Sequence, residues 1–214
     1  PDNRLLGRFP RRRLEAELIW DNLHATAGTI NLDQFGPSVY PPVSRDALGT
    51  KFNFEWPAEQ FKPQWTRRGV YLVARRSLPL PFFDVFNAPL PISSCGCRDA
   101  TVVAPQALAL LNGPVAVEQA RAFAGRLLRE CGDDPQRIVA RGWLLAFGRP
   151  ITPVEKERTL DYLTSAETAL ACARTALPQP SGAPADLKVA AARSAALVEW
   201  CLALVNANEF IYVD

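Results

Sequence analysis

The chain has 214 residues, 48% hydrophobic and 21% charged, with 24 Lys and Arg against 22 Asp and Glu and a net charge of +2. That balance is too apolar for a disordered chain and too neutral to give the long-range field of a nucleic-acid-binding surface. No apolar run approaches the roughly 18 residues that a membrane span needs.

The sequence opens Pro1-Asp2-Asn3, shows no signal-peptide pattern and contains no methionine, so a piece of a longer protein is expected. Residues 11–27 read as an amphipathic helix. Leu14, Leu18, Ile19, Leu23 and Ala27 recur at helical spacing, and Gly28 is a natural C-terminal stop. The first turn would carry Arg11, Arg12 and Arg13, the wrong sign for a helix N-terminus, partly offset by Glu15 and Glu17. Residues 29–66 hold Phe35, Tyr40, Phe52, Phe54, Trp56, Phe61 and Trp65 among prolines and glycines, with neither a helical nor a strand period. Such a segment is expected to wrap over a core, anchored by its rings, or else to line an aromatic groove. The apolar run 70–74, bracketed by Arg67-Arg68 and Arg75-Arg76, reads as a short helix, and 79–94 as an extended, proline-broken loop.

The remainder is helical by pattern. Pro105 opens a helix through Leu111 that Asn112-Gly113 closes, and Pro114 opens the next with Val117, Ala120, Phe123, Ala124, Leu127 and Leu128 facing inward. Asp134-Pro135 starts a third, ending at Phe147-Gly148. Thr152-Pro153-Val154-Glu155 combines an N-cap, a first-turn proline and a capping-box Glu, and begins a fourth reaching about residue 176. A short flexible linker over 178–184 precedes a last helix over about 187–206 with Trp200 and Leu204. Short connections favour antiparallel neighbours. The fold class is mainly α. A C-terminal up-and-down helical bundle (104–214) follows an N-terminal helix and an aromatic- and proline-rich irregular wrap (1–103), in one continuous domain.

Twenty of the 24 basic residues are Arg, whose planar fork suits carboxylates. Arg12, Arg13, Glu17, Asp21, Arg67, Arg68, Arg75 and Arg76 therefore form a candidate cluster, either a binding patch or a set of internal ion pairs. Glu17 and Asp21 share a helix face at i,i+4, and two positioned carboxylates are all that glycoside cleavage requires. Pairing with the arginines is the plainer reading. Cys95 and Cys97 make a candidate thiol loop, two of the four ligands a zinc site needs. His24 is the only histidine, beside Trp20 and Ala27 near the apolar stripe, so neither a metal site nor a catalytic base is assigned. Cys131, Cys172 and Cys201 read as small hydrophobes in helices. No phosphate-binding or dinucleotide fingerprint occurs.

PQALALLNG at 105–113, AFGRPITPVEKE at 146–157 and LVNANEFIYVD at 204–214 together resemble hallmarks of a planctomycete-type domain of unknown function. That domain forms the C-terminal end of cytochrome-c-associated surface proteins. RRRLEAELIWDNLHATAG at 11–28 and the stretch from Phe86-Asn87-Ala88-Pro89 to Cys95 resemble it too. The resemblance implies an extracytoplasmic setting, and a further helical segment with Trp and a glycine-rich turn ahead of Asn3. It also implies haem c on a separate domain, since this chain has no Cys-x-x-Cys-His. In that setting Cys95 could pair with a distant thiol such as Cys131. The chain departs from the family pattern at Asn87 and Leu90, where acidic residues are common, and at Cys97, where Arg is more usual.

The function expected is a non-catalytic structural or interaction module whose partners are other domains of the parent protein. No cofactor is expected in this chain, and neither a nucleic acid partner nor a membrane span. The alternative is binding or processing of an anionic polysaccharide through the Arg- and aromatic-rich half.

Overall fold

The computed structural model describes residues 7, 9, 11–44, 48, 56–92, 94–99, 101–173 and 176–213. Three arginines at the positive end of a helix dipole are unfavourable, and the chain avoids that arrangement. Arg12–Arg13 forms strand β1, paired antiparallel with β2 (Tyr212–Val213) in the register Arg12↔Val213 and Arg13↔Tyr212. Leu14 N–H donates to Ile211 O at 2.7 Å. Helix α1 therefore starts at Ala16, not at residue 11, and runs to Ala27. Gly28 ends it in the left-handed region (φ 74°), as the sequence predicts. The buried face comprises Ala16, Ile19, Trp20, Leu23, His24, Thr26 and Ala27, while Leu18 of the expected stripe is 43% exposed.

The wrap corrects two expectations. Residues 69–71 make a single 3-10 turn, after which the chain runs extended beside Val39. Val39 N–H donates to Tyr71 O and Val73 N–H to Val39 O, at 2.8 and 2.9 Å. A short apolar run has no periodicity of its own, so this distant partner decides its form. Within the expected loop at 79–94, Pro81–Val85 forms a short helix, α2, with Pro81 in its first turn. Among the rings, Tyr40, Trp56 and Phe61 cluster, with centroids 5.0 and 5.5 Å from Tyr40. Phe35 is 80% exposed, so its ring is not one of the anchors. Phe52 and Phe54 lie outside the described residues.

The helices after residue 103 follow their caps. They are α3 (Ala104–Asn112), α4 (Pro114–Cys131), α5 (Pro135–Phe147), α6 (Pro153–Ala171) and α7 (Ala191–Asn206). Asp134 accepts from the Gln136 and Arg137 amides, and Thr152 and Glu155 close a reciprocal capping box. Helix α4 packs on α7 and α1, α6 packs on α7, and α3 packs on both α4 and α7. One apolar cluster includes Trp20 and Leu23 of α1, Phe123 and Leu127 of α4, and Trp200 and Leu204 of α7. The protein is mainly α.

Three features of this half differ from expectation. Helix α6 stops at Ala171, with Cys172 as its exposed C-cap, short of the expected end near residue 176. Helix α7 begins at Ala191 and is followed by a short helix, α8 (Asn208–Ile211), that leads into β2. The linker before α7 is held down along α4. Ser181 N–H donates to Arg121 O at 2.9 Å, Arg121 Nε to Gln179 O at 2.7 Å, and Arg129 Nη1 to Gly182 O. A side chain at Gly125 would collide with Ser181 O, so that glycine lets the linker approach the helix.

Candidate functional site

The arginine and carboxylate cluster resolves into separate contacts. Asp21 on α1 accepts from Arg68 Nε at 3.0 Å and from the Gly69 N–H at 2.6 Å. Glu17, one turn earlier, accepts from Arg98 Nη1 at 2.6 Å, and Glu15 lies 3.2 Å from the same nitrogen. The two carboxylates thus face two different guanidinium groups, an arrangement that holds loops to α1 rather than poising an acid and a base. Arg98 is not among the residues that the sequence singles out. A single Arg in an irregular loop has no pattern to announce it, and its partners come from 81 residues away.

Arg67 is 2% exposed and serves the backbone. Its Nε and Nη2 reach Asp33 O at 3.2 and 2.9 Å, Nη2 also reaches Phe35 O, and the guanidinium lies 4.1 Å from the Tyr71 ring centroid. Its own carbonyl accepts from Trp20 Nε1 at 3.0 Å. Arg13 donates through Nη2 to Phe86 O and to Asn87 Oδ1, both at 3.1 Å, while its Nε and Nη1 are buried with no acceptor among the described residues. Burial accordingly lowers the pKa of Arg13. Asn87, in the left-handed region at φ 59°, also accepts from Gln106 Nε2 and Thr101 Oγ1. Arg75 lines a small cavity of about 170 Å³ that Glu17 also lines, whereas Arg12 and Arg76 are exposed. The structure therefore scatters the eight candidates along β1, α1 and the wrap.

Cys95 and Cys97 are exposed, with Cys95 Sγ donating to Cys97 O at 3.1 Å. Cys131 is buried in α4, where burial raises its pKa, and both it and Cys95 carry free thiols. Among the described residues no three His, Cys, Asp or Glu side chains gather as a metal site would require.

A different site lies between α1, the wrap and the corner joining α3 to α4. Trp20, Trp65, Phe82 and Phe83 line a cavity of about 330 Å³ whose polar lining includes His24 and Gln119. Trp20 meets Phe82 edge to face, with centroids 5.7 Å apart, and lies 4.3 Å from the His24 ring. Burial holds the His24 imidazole below its ordinary pKa, so it is neutral at neutral pH. The volume falls within the range of about 300–1,000 Å³ typical of small-molecule sites. The sequence signals its ingredients, the aromatic segment and the lone histidine, but not their meeting point.

The family model of PSD1, a protein of unknown function (DUF1553), matches residues 1–163, and the chain belongs to that family. No curated protein and no solved structure matches it.

Proposed function

We propose that this member of the PSD1 family is a non-catalytic interaction module of a larger protein, docking on other domains of that protein through the outer face of α3. One observation carries this reading: α3 is apolar on its solvent side. Gln106 and Leu110 face the core, while Ala104, Ala107, Leu108 and Leu111 form an exposed stripe opposite them. Val102 and Val103 extend the stripe, at 80% and 45% exposure. The helix has no charged residue. A helix that is apolar all round is ordinarily buried, and contiguous exposed apolar surface marks contact sites.

The motif resemblance supports the wider setting of the proposal, an extracytoplasmic, cytochrome-linked surface protein of planctomycete type. In that setting haem c sits on a separate domain, and this chain brings no cofactor and contacts no nucleic acid. None of the described helices is long and apolar enough to cross a membrane. Amide exchange over 104–112, compared between the chain alone and the intact parent protein, tests the docking face. The expected result is protection that rises in the intact protein and is lost in Leu108→Arg/Leu111→Arg, with an unchanged melting temperature for the chain alone. Equal exchange in both contexts overturns the proposal.

A second reading, carbohydrate recognition, is supported by the aromatic cavity at Trp20, Trp65 and Phe82, whose flat faces suit sugar rings. Among the described lining residues there is no arginine, so the cavity suits neutral better than anionic polysaccharide. A panel of neutral and sulfated glycans, at low and high salt, tests it. Salt-insensitive binding of neutral chains supports the cavity, salt-sensitive binding of sulfated chains alone points back to the arginines, and no binding removes the reading.

A further inference from the structure

Two of the polar side chains that line the aromatic cavity, His24 and Gln119, are only half used by the fold. His24 is 2% exposed, and its Nδ1 lies 2.9 Å from Trp20 O. That nitrogen therefore carries the proton, and Nε2 of the neutral ring is left as an acceptor. Gln119 is 5% exposed, and its Oε1 accepts from Thr29 Oγ1 at 2.6 Å, leaving its amide nitrogen as a donor. Thr29 Oγ1 also lies 3.4 Å from the backbone carbonyl of His24, so one hydroxyl ties Gln119 to the end of the helix that carries His24. Neither remaining nitrogen has a partner among the described residues, and both belong to residues that line the cavity. An acceptor and a donor that line the same cavity suit one ligand group that does both.

The rest of the lining narrows the ligand. Its walls are mostly rings, prolines and aliphatic side chains, and Glu118 near the start of α4 is the one charged lining residue among those described. An anion would lose its water here and meet the like charge of Glu118, while a cation would have only that single carboxylate to set against its own lost hydration.

We propose that this cavity binds an uncharged molecule that presents a flat apolar face and one hydroxyl group. The hydroxyl donates to His24 Nε2 and accepts from the Gln119 amide, while the face lies against Trp20, Trp65 and Phe82. A phenol and a neutral pyranose share that chemistry, so the inference goes beyond the carbohydrate reading and stands without it.

The chain's single histidine is a built-in reporter. Long-range nitrogen-15 spectra of its ring are recorded during titration with phenol, methyl β-glucopyranoside, toluene and benzoate. At least one hydroxylated probe is expected to shift the Nε2 resonance and to bind about tenfold more tightly than toluene, as one added hydrogen bond requires. Benzoate is expected to leave the resonance in place. A response to phenol alone identifies an aromatic alcohol, and a response to the glucoside identifies a sugar. Val115→Trp, which fills the cavity from its half-exposed rim, is expected to abolish binding, and the isosteric Gln119→Glu to weaken it about tenfold. Failure of both hydroxylated probes to move His24, equal binding of toluene and phenol, or unchanged affinity in both variants overturns the proposal.

Discussion

The wrap and the helical bundle are ordered by different means. In the bundle each helix closes its own backbone hydrogen bonds, and stability comes from apolar area, as at Ala120, Phe123, Ala124 and Leu127 along the inner face of α4. Irregular chain has no such continuous ladder, so beside isolated bridges such as Val39 with Leu72 its backbone groups turn to single side chains far away. Arg67 holds the carbonyls of Asp33 and Phe35 across 34 and 32 residues, Asp21 takes the Gly69 amide across 48, and Trp56 Nε1 donates to Pro41 O at 2.7 Å. One region spreads its stability over many small contacts. The other concentrates it in a few pins.

The sharpest way to break the comparison is in the bundle. Phe123→Ala removes a ring that is 1% exposed at the junction of α4 with its neighbours. It should cost about 3–5 kcal/mol, read as a lower melting temperature for the whole chain. Arg67→Met should cost about 2–3 kcal/mol through lost charge-assisted hydrogen bonds, but mainly in the wrap. Amide exchange over 31–39 should rise while α4 stays protected. Equal loss of protection in both regions would show that they unfold as one unit.

Smaller effects follow at the caps. Thr152→Ala should cost about 1 kcal/mol and loosen the first turn of α6, as measured by denaturant unfolding. Hydrogen bonds from Arg149 and from the Thr152 amide and hydroxyl depress the Glu155 carboxyl to about 2. The unfolded chain therefore takes up that proton first on acidification. The contribution of Glu155 is complete above the ordinary carboxylate range and is lost as the pH falls towards about 2. In Glu155→Gln the acid limb of the melting-temperature profile should flatten. His24 follows the same sign in a higher window. Its pKa is lowered by burial against the opposing pull of the Trp20 carbonyl and of Asp21, so the cavity wall should lose stability as the pH falls below about 6.5. Asn87→Asp should have the smallest effect, a gain of a few tenths to about 1 kcal/mol, because it sets a carboxylate opposite the underused Arg13 guanidinium. A lower melting temperature in that variant would mean that the Asn87 amide serves contacts a carboxylate cannot.

What the sequence determined by itself lies within a few residues of its signal. Gly28, Asp134, Gly148 and the Thr152–Glu155 box end or begin helices where local chemistry places them, and the apolar spacing along α4 marks the face it buries. A cap and its orphan amide, or a stripe and its turn, are coded within one or two helical turns. Asp21 was legible as a partner for the arginines, but that it would meet Arg68, and Glu17 meet Arg98, was not. Only the tertiary structure decided that Arg12 and Arg13 leave α1 to pair with Tyr212 and Val213 at the other end of the chain, and that 69–73 extends beside Val39. It alone set His24 and Gln119 in the lining of one aromatic cavity. Each of these depends on a partner brought close by packing, and no local periodicity records a contact between residues so far apart in the chain.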